Sequence, residues 1–152
     1  MKTLVLGLGN LILSDDGVGF QVVEQLKARL NQPEITLMEA DVSGLGLLDL
    51  LVGYDRAIII DAIQTEGGKA GEVYHLGIDG FAASRRGVSP HDVDLATALE
   101  LGKRLGLDLP QQIAIIAIEV ADVITFREGC TPEVERAIPL AAKAVIEECT
   151  LS

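Results

Sequence analysis

The amino-acid sequence predicts an α/β fold of three layers, with helices on both faces of a mostly parallel sheet. Two observations predict it. Short apolar runs rich in branched residues recur along the chain, and segments of helical period stand between them. The chain has 152 residues, 49% of them apolar, which suits one domain over residues 1–152 with a sheet buried on both faces.

The elements follow in order. Residues 4–8, 35–39, 57–60 and 113–118 are near-continuous apolar runs, as expected of strands covered on both sides. Residues 71–76 alternate more and follow the turn Glu66-Gly67-Gly68, so they predict an edge strand, in antiparallel sense. Between the runs, residues 18–30 place Val18, Val22, Val23, Leu26 and Leu30 on one helical face. Residues 44–51 predict a shorter helix. Residues 92–105 bring Val93, Ala96, Leu99 and Leu105 near helical spacing. The last helix opens at Thr131-Pro132-Glu133 and runs to about Cys149, with Thr131 as N-cap, Pro132 at the first helical position and acids in the first turn. Residues 79–90 read as a long polar connection, and such loops tend to carry function.

Composition narrows the partners. A formal charge of −11 repels a phosphate backbone and an anionic membrane surface, and an aromatic fraction of 3% with no Trp leaves little on which bases could stack. No nucleic-acid or membrane partner is expected. No apolar run reaches the about 20 residues of a membrane helix. The N-terminus enters a strand at once, without the pattern of a signal peptide. Cys130 and Cys149 make neither a disulfide framework nor a zinc ribbon. A cytoplasmic setting and a monomeric state are expected.

The loop after the first strand carries the most information: Gly7-Leu8-Gly9-Asn10-Leu11-Ile12-Leu13-Ser14-Asp15-Asp16-Gly17-Val18-Gly19. A dinucleotide fingerprint needs a third glycine where Ile12 stands, and two carboxylates at the following helix oppose a pyrophosphate. Either acid can cap that helix, but one cap needs only one of them. The second carboxylate is free to point elsewhere.

Ligands of open α/β sheets bind outside the carboxyl ends of the strands. Acids stand after four predicted strands: Asp15 and Asp16, Asp41, Asp61 and Glu119. Asp61 follows three isoleucines, so it requires a proton, a hydrogen-bond partner or a metal. His91, in Ser89-Pro90-His91-Asp92, sits where a helix is predicted to begin. A neutral imidazole, the ligating form, is favoured there, although a structural histidine fits as well. His75 lies on the predicted edge strand and reads as a surface residue. Two aspartates and a histidine suit a divalent transition metal with open positions. No Gly-x-Ser-x-Gly elbow, His-Glu-x-x-His helix or Cys-x-x-Cys pair is present, and Cys130 remains an alternative nucleophile.

Gly9-Asn10-x-x-x-x-Asp15-Asp16-Gly17-x-Gly19 resembles the opening motif of the hydrogenase maturation proteases. Residues 41–46, Ile59-Ile60-Asp61-Ala62 and Ser89-Pro90-His91-x-x-x-Leu95 agree in order and spacing, and Gly129-Cys130-Thr131-Pro132-x-Val134 agrees more weakly. The resemblance implies a twisted five-stranded sheet between helices, one strand antiparallel. It implies an endopeptidase that removes a short C-terminal extension from the precursor of a nickel-iron hydrogenase large subunit after nickel insertion. The metal contacts carried over are Asp16, Asp61 and His91, which are also the expected catalytic residues. The cofactor implied is nickel, carried by the substrate, with other divalent metals as substitutes in vitro. Two departures stand out: some relatives have Glu where Asp16 stands, and a small residue is common where Cys130 stands.

Two other functions compete. One is a non-catalytic nickel- or partner-binding chaperone of hydrogenase assembly, using the same rim only to hold its partner. The other is a nucleotide-binding module, which the missing glycine and the acid pair oppose.

Overall fold

The computed structural model describes residues 1–42, 44–84 and 95–151, with residue 82 described by its backbone alone. Five strands form one sheet: β1 (Thr3–Leu8), β2 (Ile35–Ala40), β3 (Arg56–Ile63), β4 (Val73–Leu76) and β5 (Gln112–Glu119). Their order is β2-β1-β3-β5-β4. β1, β2, β3 and β5 are parallel, and β4 runs antiparallel to β5 at the edge. The expected fold class and the antiparallel edge strand are both borne out.

Strand alternation sends successive side chains to opposite faces. Val5, Ile58, Ile60, Ile116 and Ile118 pack under α1 (Val18–Leu26) and α5 (Pro132–Thr150). Leu4, Leu6, Ile59, Ile115 and Ala117 pack on the other face. There α2 (Leu45–Leu51), α3 (Ile78–Ser84) and α4 (Leu95–Arg104) contribute Leu47, Leu48, Leu51, Phe81, Ala98 and Leu99. Both faces are therefore covered, which is why the central strands read as unbroken apolar runs.

Three expectations shift. The helix predicted over 18–30 is α-helical only to Leu26, although Leu30 still packs on the core. The polar connection predicted over 79–90 begins as helix α3: Phe81 is buried in the core and Ile78 packs beside it, and that burial outweighs Gly80. The start of the helix predicted at residue 92 lies outside the described residues, which take it up at Leu95. Helix α5 also continues through Pro139, held by its buried face of Val134, Ala137, Ile138, Ala141, Ala142 and Val145.

The topology fixes where a ligand can enter. From β1 the chain crosses to β2 on one side, and β3 then lies on the other. The carboxyl ends of β1 and β3 thus flank the switch point, where a crevice opens in sheets of this kind.

Candidate active site

Asp16 and Asp61 stand on the two sides of this switch point, one in the loop after β1 and one near the end of β3. β1 ends at Leu8, whereas β3 continues to Ile63. The last β1–β3 pair is Gly7 with Ile60, so from Asp61 onward β3 is paired with β5 alone. Asp61 is therefore inside the strand rather than after it, at the point where its neighbour on one side has turned away. It shares the sheet face of Ala57, Ile59 and Ile63, toward α2 and α4. It is half-buried, and its Oδ1 accepts the Ala62 N–H at 2.8 Å.

Asp16 lies in a 3-10 turn, Ser14–Gly17, which packs against β3. Its Oδ2 accepts the Asn10 N–H at 3.1 Å, and its backbone carbonyl accepts the same N–H at 3.3 Å. This clasp requires Gly9, whose φ of +142° is left-handed and whose missing Cβ leaves room for the Asp16 carbonyl. Gly19 brings the start of α1 against both strands: a Cβ there would lie 2.5 Å from the Leu8 carbonyl oxygen and 2.6 Å from that of Ile60. The loop of Asp16 and the strand of Asp61 are thereby pinned side by side.

Neither acid of the pair caps α1, as the sequence allowed. Gly17 occupies the cap position and no side chain bonds there. Asp15 instead turns inward and is fully buried. Its Oδ2 accepts the N–H groups of Ala121 and Asp122, each at 3.0 Å. Its Oδ1 accepts the Thr131 N–H at 2.6 Å, and the Thr131 hydroxyl donates to it as well. Thr131 holds the predicted N-cap position of α5, yet its hydroxyl goes to Asp15 and makes no cap bond of its own. A carboxylate from a distant loop thus sits at the positive end of α5. Next to it Ser14 is buried with φ +51°, donating its N–H to the Arg127 carbonyl at 2.9 Å and accepting an Arg127 guanidinium bond at its hydroxyl.

The other acids of the predicted rim separate. Glu119, the last residue of β5, is buried and engaged: it accepts from the Thr65 N–H at 2.9 Å, from the Thr65 hydroxyl and from the Tyr74 hydroxyl at 3.0 Å. It ties the β3–β4 connection to β5. Burial, opposed by a hydrogen bond from Thr65 and reinforced by Glu119, pushes the Tyr74 hydroxyl up. Asp41 is exposed beyond β2. His91, the third expected ligand, lies outside the described residues. Among the described residues no three His, Cys, Asp or Glu side chains converge on one point. His75 is exposed at the edge strand, as expected, with its Nε2 2.7 Å from Glu148.

Cys130 is a poor nucleophile in this setting. Burial, then the charges of Asp15 and Glu135, push its thiol up to about 12, so the reactive thiolate is disfavoured. The sequence also did not single out Arg56. Buried at the start of β3, it donates to the carbonyls of Glu148, Cys149 and Leu151 at 3.1, 3.0 and 2.7 Å, closing the C-terminal end of α5. The only sequence signal was an arginine set against an apolar run.

Known proteins identify the family. The family model described as hydrogenase maturation protease matches residues 20–148. The hydrogenase 2 maturation protease of Escherichia coli K12 is 29% identical over 148 residues, covering 96% of this chain and 89% of that protein. The hydrogenase expression/formation protein HupD of Bradyrhizobium diazoefficiens is 27% identical over 153 residues, covering 96% and 79%. Among solved structures, the hydrogenase maturating endopeptidase HybD from E. coli superposes with a TM-score of 0.81 at 27% identity, covering 99% of this chain and 94% of that one. The hydrogenase 2 maturation peptidase from a Thaumarchaeota archaeon gives 0.70 at 26% identity, with both chains fully covered. With a family model matched over most of its length, the same fold and two aspartates at the switch point, the chain belongs to the hydrogenase maturation protease family.

Proposed function

We propose that this endopeptidase removes the C-terminal extension of a nickel-iron hydrogenase large-subunit precursor once nickel is in place, and that Asp16, Asp61 and His91 form its working site. The observation that supports the reading is that the loop bearing Asp16 and the strand end bearing Asp61 flank the switch point between β1 and β3. A crevice bordered by two carboxylates suits hydrolysis: one acid takes a proton from the attacking water and returns it to the leaving amine. The same oxygens, joined by an imidazole, suit a divalent transition metal with open positions. Nickel here is cargo of the substrate, and contact with Asp16, Asp61 and His91 marks a precursor ready for cutting. When bound, the metal supplies positive charge beside the scissile peptide. Other divalent metals substitute for it in vitro. The enzyme works as a monomer in the cytoplasm, a setting in keeping with its two free thiols.

Two comparisons test this. Nickel-loaded and nickel-free precursor are incubated with the protein and followed by mass. Cleavage is expected for the loaded form alone, and equal processing of both would end the metal-dependent reading. Asp16→Asn is expected to slow cleavage by about 10²–10⁴-fold. A non-catalytic chaperone would leave precursor length unchanged with either protein, and only its binding would respond to the substitution.

A further inference from the structure

The two most exposed large apolar side chains among the described residues are Phe126, 82% exposed, and Ile124, 81% exposed. Both lie in the segment 121–131, which leads from β5 to α5. Ile12, 50% exposed, lies in the loop that bears Asp16. The backbone joins the two segments: Leu13 and Arg127 form a parallel bridge, the Arg127 N–H donates to the Ile12 carbonyl at 2.9 Å, and the Ser14 N–H donates to the Arg127 carbonyl at 2.9 Å. This register sets Ile12 and Phe126 at matching positions, one residue before the bridge.

The apolar groups are held out by design of the backbone around them rather than by slack. Asp15 grips the segment at Ala121, Asp122 and Thr131. Asp122 then folds it, accepting the N–H groups of Ile124 and Thr125 at 3.0 Å each and the Thr125 hydroxyl at 2.6 Å. Val123, between them, packs inward on the core. A loop so fully bonded keeps Ile124 and Phe126 in water at a hydration cost that burial against a partner would relieve.

We propose that Ile12, Ile124 and Phe126 form an apolar rim that seats the hydrogenase large-subunit precursor next to the cleavage crevice. The rim is continuous with the site: three residues separate Ile12 from Asp16 in one clasped loop, so a protein chain held at Asp16 lies close to it. A second copy of this chain is a poor occupant, because each copy carries a net charge of −11. This rests on the endopeptidase reading, and its test is separable from that reading.

The test measures the affinity of nickel-loaded precursor by calorimetry in the Asp16→Asn background, where substrate persists. Adding Ile124→Ser with Phe126→Ser is expected to raise Kd about tenfold or more, as loss of two central apolar contacts does. Adding Leu105→Ser, another change at an exposed leucine, past the far end of α4, is expected to leave Kd within about twofold. Both sites are exposed, so thermal unfolding should be unchanged. An unaltered Kd in the double substitution overturns the rim. Sedimentation showing a dimer that the double substitution dissociates overturns it too, by assigning the rim to a second copy. Failure of the unsubstituted protein to cut precursor would instead overturn the endopeptidase reading, while the Kd comparison still decides the rim.

Discussion

Asp15 and Asp16 are neighbours in the chain with identical side chains and opposite surroundings. Asp16 stays half-buried at the crevice, with its carboxylate clasped by the Asn10 N–H. Asp15 is sealed among three backbone N–H groups and a hydroxyl. Removing that carboxylate leaves buried donors without an acceptor, each costing about 1–3 kcal/mol. Asp15→Ala is therefore expected to lose about 3 kcal/mol or more of stability, read from the urea midpoint. Asp16→Asn should cost much less than Asp15→Ala, because the side chain keeps an oxygen that can accept from Asn10. The motif made both acids visible in the sequence. Which one turned inward was not visible, because Asp15's partners lie more than a hundred residues away.

At the scale of elements, the site depends on how closely α1 approaches β1 and β3. Gly19 makes that approach, and the obstructing atoms are backbone carbonyls that no side-chain rotation can clear. Gly19→Ala should push the helix outward at a cost of about 1–3 kcal/mol, lowering Tm by about 3 °C or more and disturbing the loop of Asp16 along with it. Most element positions were legible, since β1, β2, β3 and β5 are continuous apolar runs and α5 begins at Thr131-Pro132. The helix α3 was not. Its seven residues include Gly80 and Ser84, and it is stabilised by packing Phe81 and Ile78 on a core made by other elements. The length of β3 was misjudged for a related reason. Asp61 interrupts the apolar run, but pairing with β5 carries the strand on to Ile63.

At the scale of the molecule, the half-buried thiol of Cys130 near Asp15 makes stability depend on pH. Cys130 titrates near 8.5 in an unfolded chain and is pushed up to about 12 when folded. The folded state then holds its proton more tightly than the unfolded state. The contribution is fully present below about pH 8.5 and is lost as pH rises toward about 12. Thermal unfolding is expected to weaken from about pH 9 upward, and Cys130→Ala should flatten that decline. Alkylation of Cys130 at pH 8 should be slow in the folded protein and fast in urea.

The sequence by itself determined the α/β class, the run of parallel strands, the antiparallel edge and the residues from which a site could be built. It could do so because hydrophobic period and turn chemistry are local, and because the motif around Asp15 and Asp16 is contiguous. Tertiary structure decided the roles. Strand order placed Asp61 beside the loop of Asp16, and a carboxylate bonded across the molecule assigned Asp15 to the scaffold. It also took Glu119 out of the rim by giving it Thr65 and Tyr74 as partners. A carboxylate's role is set by the donors around it, and in this fold those donors come from segments far apart in the chain.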